Sequence, residues 1–273
     1  MFVLKAEEIN VAYSKDLIVR DFSISIPENK VTTIIGPNGC GKSTFLKTIA
    51  RILKAQHGTV LLEGKELQTI HTKEIAKKMA ILPQTAQAPD GLTVFELISY
   101  GRSPHRRGFG SLTNTDYDYI HWAIQVTGLE KFKERTIDAL SGGQLQRVWI
   151  AMALAQGTDI LILDEPTTYL DLAHQMDVLL LLQKLNKEEG KTIVMVLHDL
   201  NHASRFSDYL IAMRDGELIT EGTPDKVMTY ENLQQIFNID AEFATCPYSH
   251  NPICLSYQLH DATSGLKIAA YDH

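Results

Sequence analysis

The chain is 273 residues long, 44% hydrophobic and 22% charged, with a formal net charge of -7. That length supports a full hydrophobic core with room for a subdomain, and the acidic balance argues against general nucleic-acid binding, which carries a basic excess. The longest apolar run, residues 148–155, falls far short of the ~18 residues that span a bilayer, so any membrane role is expected to run through a partner.

Residues 2–13 and 17–26 read as strands, the second alternating at Phe22, Ile24 and Ile26. Glu7 and Glu8 come before any apolar stretch of signal-peptide length, so no export is expected. Tyr13 stands just before the second strand, where its ring could stack on an adenine or simply pack on a sheet. Pro27-Glu28-Asn29 is turn chemistry ahead of the apolar run 31–35. Gly36-Pro37-Asn38-Gly39-Cys40-Gly41-Lys42-Ser43-Thr44 follows and leads into helical sequence at 45–52. Strand, glycine-rich turn and helix start together make a phosphate-binding loop. Glycines let backbone N–H groups close in on a polyphosphate, and the helix N-terminus adds its unpaired donors. Lys42 would set a charge between the β- and γ-phosphates, and the Ser43 hydroxyl would bind Mg²⁺. Cys40 has no adjacent base and reads as a small filler rather than a nucleophile.

Past this helix, His57-Gly58 reads as a turn, 59–63 as a strand, 72–79 as a short helix and 80–82 as a buried strand ending at Pro83-Gln84. A glutamine at a strand end can reach a metal or an attacking water. From 84 to 140 the sequence is more helical and more polar, with Thr93 as a cap for a helix at 94–100 and apolar spacing for another at 116–127. Between them, residues 102–115 read as a loop, and the basic cluster Arg102, Arg106 and Arg107 as solvated. Ser141 caps a helix that starts with Gly142, Gly143 and Gln144 and runs to 155. Two glycines there cost roughly 1 kcal/mol each against alanine, which suggests close approach of an anion.

Residues 160–163 form a continuously apolar strand with Asp164 and Glu165 at its end, the edge where open α/β sheets bind ligands. Asp164 suits Mg²⁺ and Glu165 could take a proton from an attacking water. Asp171 caps a helix at 172–189, and a buried strand at 192–197 delivers His198 to its end, where it could donate to a γ-phosphate. His198 and His202 also have zinc-helix spacing, but Asp199 stands where that motif needs Glu and no third ligand is evident. A hairpin turns at Asp215-Gly216, helices follow at 224–227 and 231–237, and the tail from 241 holds Cys246, His250 and Cys254 at equal spacing, broken by Pro247 and Pro252, without matching a strong metal template. Cys40, Cys246 and Cys254 are the three cysteines, a sparse odd set that fits reduced thiols.

Together these motifs resemble the ATP-binding subunits of ABC transporters over residues 3–257. In that family 36–44 corresponds to Walker A, Gln84 to the Q-loop, 140–144 to the signature, 160–165 to Walker B, Leu170-Asp171 to the D-loop and His198 to the switch histidine. The resemblance implies an α/β P-loop ATPase core at 1–84 and 158–240 with an antiparallel β part, a helical subdomain at 85–157, and a tail at 241–273. It further implies that Ser141, Gly142, Gly143 and Gln144 serve ATP held by a second copy, so that the chain works as a homodimer with two Mg-ATP at the interface. Tyr13 matches the aromatic that stacks on adenine, and Ser43, Gln84 and Asp164 the metal set. Gly101-Arg102-x-Pro104-His105 and the segments around Asp164 and His198 look most like ATPases of iron-siderophore importers. Such a subunit sits at the cytoplasmic face of the membrane, drives integral permease subunits and depends indirectly on an extracytoplasmic binding protein. Importers of vitamin B12, haem or metal ions share the architecture, and a soluble iron-sulfur assembly ATPase is the alternative of another class.

Overall fold

The computed structural model describes residues 2–13, 16–106 and 111–260. Along the chain come Phe2–Tyr13 (β1), Asp16–Pro27 (β2), Val31–Ile35 (β3), Lys42–Ile49 (α1), His57–Leu62 (β4) and Lys65–Glu66 (β5). Next are Thr72–Lys78 (α2), Met79–Leu82 (β6), Val94–Ser99 (α3), Asn114–Val126 (α4), Gly142–Ala155 (α5), Ile160–Leu163 (β7), Leu172–Glu189 (α6), Thr192–Val196 (β8) and Leu200–Phe206 (α7). The chain continues through Tyr209–Arg214 (β9), Glu217–Gly222 (β10), Pro224–Val227 (α8), Tyr230–Phe237 (α9), Ile239–Thr245 (β11) and Pro252–Leu259 (β12).

A six-stranded sheet in the order β10-β9-β3-β8-β7-β6 forms the centre, and a four-stranded antiparallel sheet, β2-β1-β4-β5, packs beside it. Strands β3, β6, β7, β8 and β9 run parallel. Their side chains alternate between two cores. Ile35, Leu161, Leu163, Ile193 and Met195 face the helical side, and Ile34, Ile160, Ile162, Val194 and Val196 face α1 and the antiparallel sheet. Both faces being covered, these strands need continuously apolar sequence. Parallel pairing also has a functional result: the chain leaves β3, β6, β7 and β8 at one edge, so residues after 35, 82, 163 and 196 meet there.

Three readings of the sequence are corrected. His57 and Gly58 belong to β4, pairing with β1, rather than to a turn. The stretch read as a loop from 102 begins with a 3-10 helix, Tyr100–His105, and Arg102 is buried rather than solvated. Its Nε donates to Asp116 Oδ1 at 2.8 Å, its Nη1 donates to Ala155 O at 2.8 Å, and its guanidinium lies 4.4 Å from the Tyr119 ring centre. A charge count cannot reveal an acid fourteen residues away that neutralises one arginine of a cluster. Arg107 lies outside the described residues. The tail from 241, to which the sequence reading assigned no element, belongs to an antiparallel hairpin from Ile239 through Leu259. Pro252 is tolerated because it occupies the first position of its strand. No helix among the described residues is long and apolar enough to cross a membrane.

Candidate nucleotide site

The glycine-rich loop is shaped by its neighbours. Gly36 has φ 153°, and a Cβ there would lie 2.2 Å from Met213 O on β9; Gly41, with φ 104°, caps α1 beneath Ile18 O of β2. No side chain could occupy the first position, which explains its glycine. Lys42 is buried, and its Nζ donates to Gly36 O and Pro37 O, each at 2.8 Å, so the ammonium lies across the loop. The Cys40 thiol is buried against Gly36, and burial pushes its pKa up, which leaves it unreactive as a nucleophile.

Tyr13, Ile18, Asn38, Gly39, Gly41, Lys42, Ser43, Thr44, Glu165 and His198 line a cleft of about 300 Å³. Gly36, Pro37 and Cys40 frame the loop without lining it. Tyr13, at the end of β1, is 47% exposed, which leaves a ring face free for a planar ligand. Ser43 Oγ donates to Asp164 Oδ1 at 2.9 Å, bringing together two oxygens from residues 121 apart in sequence. Burial raises the pKa of the Asp164 carboxyl, and the Ser43 hydrogen bond opposes that rise.

Glu165 organises the other side. Gln84 Nε2 donates to its Oε2 at 2.6 Å, Thr168 Oγ1 to the same oxygen at 2.9 Å, and His198 Nε2 lies 2.7 Å from its Oε1. The backbone of Glu165 has φ 52°, an unfavourable value for a residue with a side chain, and such strain concentrates at functional positions. Gln84 is therefore brought to the carboxylate expected to act as base, while the two oxygens suited to a metal are those of Ser43 and Asp164. His198 and His202 do not share a helix, because Asp199 caps α7 and His202 sits inside it. Among the described residues no group of three or more His, Cys, Asp or Glu could hold a metal ion.

The second glycine-rich helix start does not reach this cleft. Ser141 and Gln144 form a reciprocal cap on α5, Gln144 N donating to Ser141 Oγ at 3.3 Å and Ser141 N to Gln144 Oε1 at 3.1 Å. The two glycines then differ. A Cβ on Gly142 would meet nothing within 4 Å, whereas one on Gly143 would lie 2.3 Å from the His174 ring. Gly143 thus has a packing reason to be glycine, and Gly142 is the one with open backbone. The sequence missed Ile18 and Thr168 as site residues. Thr168 is three residues after Glu165, but its bond depends on the left-handed turn at Glu165, which no residue type announces. Ile18 reaches the cleft only by sheet pairing.

A phosphate loop, an acid pair and a histidine on one edge of a parallel sheet define a P-loop nucleoside triphosphatase with a side sheet and a helical layer. Residues 19–168 match the ABC transporter family, and the chain belongs to that family as an ATP-binding ATPase. It is 59% identical over 256 residues, 94% of this chain and 95% of the relative, to the iron(3+)-hydroxamate import ATP-binding protein FhuC of Bacillus subtilis (strain 168). Among solved structures it resembles a metal-chelate type ABC transporter in an inward-facing conformation, with TM-score 0.81, 25% identity and coverage of 93% of this chain and 96% of that one. A dimeric bacterial ABC transporter cassette matches with TM-score 0.71 and 31% identity, over 81% of this chain and 98% of that one.

Proposed function

We propose that this chain is the ATP-hydrolysing subunit of a ferric-siderophore importer, with hydroxamate chelates as the favoured class, and that it works as a homodimer beneath integral permease subunits at the cytoplasmic face of the membrane. The observation that carries the hydrolytic reading is the Glu165 constellation, where Gln84, Thr168 and His198 converge on one carboxylate beside the phosphate loop. The siderophore reading is supported by 59% identity to a protein named for iron(3+)-hydroxamate import.

In this reading Tyr13 stacks on the adenine ring, the backbone of residues 36–44 cradles the phosphates, and Lys42 swings from the loop carbonyls to the β- and γ-oxygens. Glu165 orients a water held by Gln84 and accepts its proton as the γ-phosphorus is attacked. His198 turns from Glu165 to the γ-phosphate and, with Lys42, offsets the charge that develops there. The donor pair Ser43 and Asp164, one hydroxyl and one buried carboxylate, fits a hard cation that keeps most of its other positions for water and phosphate. Mg²⁺ bound there would supply charge neutralisation between the β- and γ-phosphates. Ser141, Gly142, Gly143 and Gln144 serve the nucleotide of the second copy, which accounts for a helix start with exposed donors outside its own cleft. Residues 85–157 form the helical section through which closure moves the permeases, and residues 1–84 with 158–240 form the nucleotide-binding core.

Uptake of radiolabelled ferric hydroxamate chelates by cells lacking this chain tests the assignment. Loss of uptake, restored by the intact chain and not by Glu165→Gln, is the expected result. Unchanged uptake of every ferric siderophore, with loss of vitamin B12 or haem uptake, would overturn it.

A further inference from the structure

Antiparallel pairing sets Ile239 opposite Leu259, Ala241 opposite Tyr257 and Phe243 opposite Cys254, so these six side chains share one face of the C-terminal hairpin. The two strands share it unequally: Ile239 and Ala241 on β11, and Cys254 on β12, are buried against the core. The β12 residues opposite Ile239 and Ala241 are exposed. Tyr257 is 70% exposed and Leu259 63%. Leu255, the extra residue where pairing jumps from Glu242–Ser256 to Phe243–Cys254, is 64% exposed. Single exposed apolar residues are ordinary on a surface, but three within five residues of one strand make a patch.

The patch is held firmly in place. Asn201 Nδ2 donates to Cys254 O at 3.0 Å while Cys254 N donates to Asn201 Oδ1 at 2.7 Å, a two-way clamp from the first turn of α7. Ser204 Oγ donates to Pro252 O at 2.6 Å. At the far end Asp240 Oδ1 accepts from Tyr230 Oη at 2.7 Å and lies 2.8 Å from His260 Nδ1, and His260 N donates to Asn238 O at 3.0 Å. A surface ordered beforehand binds without the entropic cost of fixing a loose tail.

It also adjoins the nucleotide face. Tyr257 lines a cavity of about 360 Å³ together with His198, Leu200, Asn201 and Phe237, and His198 lines the nucleotide cleft as well. We propose that Leu255, Tyr257 and Leu259 form a second contact between two copies of this chain, made as they close over nucleotide. This rests on the cross-chain closure described above. A second copy that covers the cleft at His198 comes next to the cavity behind it, and an isologous contact lets an apolar patch meet apolar surface without burying an unpaired charge. Because Asn201 ties the hairpin to the turn that carries His198, contact at the patch is linked to the group beside Glu165.

Sedimentation equilibrium in ATP and Mg²⁺ on the Glu165→Gln protein, with and without Tyr257→Ser and Leu259→Ser, tests the contact. The expected result is a dimer dissociation constant raised at least tenfold by the serines, with unchanged ATP affinity in dilute monomer and an unchanged melting temperature. Hydrogen exchange on the hairpin with its own residues is the second measurement, and slower exchange of residues 252–260 on ATP-driven dimerisation is expected. An unchanged dissociation constant or unchanged exchange in a dimer that does form overturns this contact and leaves the nucleotide closure standing. Slowing that requires the permease subunits assigns the patch to them and likewise overturns it. If Glu165→Gln stays monomeric in ATP, the closure itself fails and this contact with it.

Discussion

The chain contains two helices that begin on glycines and offer backbone donors to an anion, and they stand in opposite surroundings. At α1 the loop is pressed into shape by β2 and β9, Lys42 is buried across it, and Asp164 arrives from β7 to meet Ser43. At α5 the start is an ordinary reciprocal cap, Gly142 faces open space, and no acid, base or aromatic ring of the nucleotide cleft is beside it. Equivalent local chemistry makes a complete cleft in one place and, on the proposed reading, half of a shared one in the other. A helix start becomes catalytic through what the tertiary fold sets opposite it.

The largest blow to the complete half is Glu165→Gln. It retains a side chain that can bond Thr168 but removes the carboxylate proposed as base, so ATP turnover should fall by roughly a thousandfold with ATP binding intact. Single-turnover hydrolysis beside nucleotide binding checks this, and retained turnover would move the base elsewhere. The helix start proposed to serve the second copy is probed by Gly142→Ala, whose Cβ meets nothing within 4 Å in the monomer. Turnover of the dimer should drop by about a hundredfold while the melting temperature stays put, as for removal of one transition-state donor.

Gly143→Ala separates the two glycines more finely. Its Cβ meets the His174 ring, so the expected effect is a loss of about 1–3 kcal/mol of stability, recovered in part by His174→Ala; denaturant titration reads both. The smallest effect concerns the scaffold that carries α5. Burial pushes the Asp116 carboxyl up, but the Thr113 N–H and hydroxyl and the Arg102 guanidinium outweigh it and hold its pKa at about 2. A carboxyl depressed in the folded protein stabilises fully above its unfolded value of 3.8 and loses that contribution as pH falls through the folded value. About 2 kcal/mol should therefore disappear between roughly pH 4 and pH 2. Asp116→Asn should remove that part of the acid dependence in a pH series of unfolding curves.

Much of the site was legible because its chemistry is sequential. Gly36 to Thr44 is one continuous loop, and a phosphate cradle needs its donors on adjacent backbone units. Asp164, Glu165 and His198 were legible for another reason, since polar residues directly after a fully apolar strand fall at the ligand-binding edge of a parallel sheet. Thr168 was not, because its approach to Glu165 needs a backbone turn at φ 52°. Arg102 was misread for want of its long-range partner, and the tail was left without an element for want of α7, whose Asn201 clamps its second strand.

Residue order alone determined the α/β class, the phosphate loop, the helix caps and the identity of the acid pair, because each is fixed by periodicity or by chemistry within a few residues. Only the tertiary structure decided which groups meet: Ser43 with Asp164, Gln84 and His198 with Glu165, Arg102 with Asp116, and the signature helix with none of the cleft. Those meetings depend on strand order in the central sheet. The pairing of β3 with β8 and β9, and of β7 with β6 and β8, joins residues from 32 to 177 positions apart, and no local preference encodes that choice.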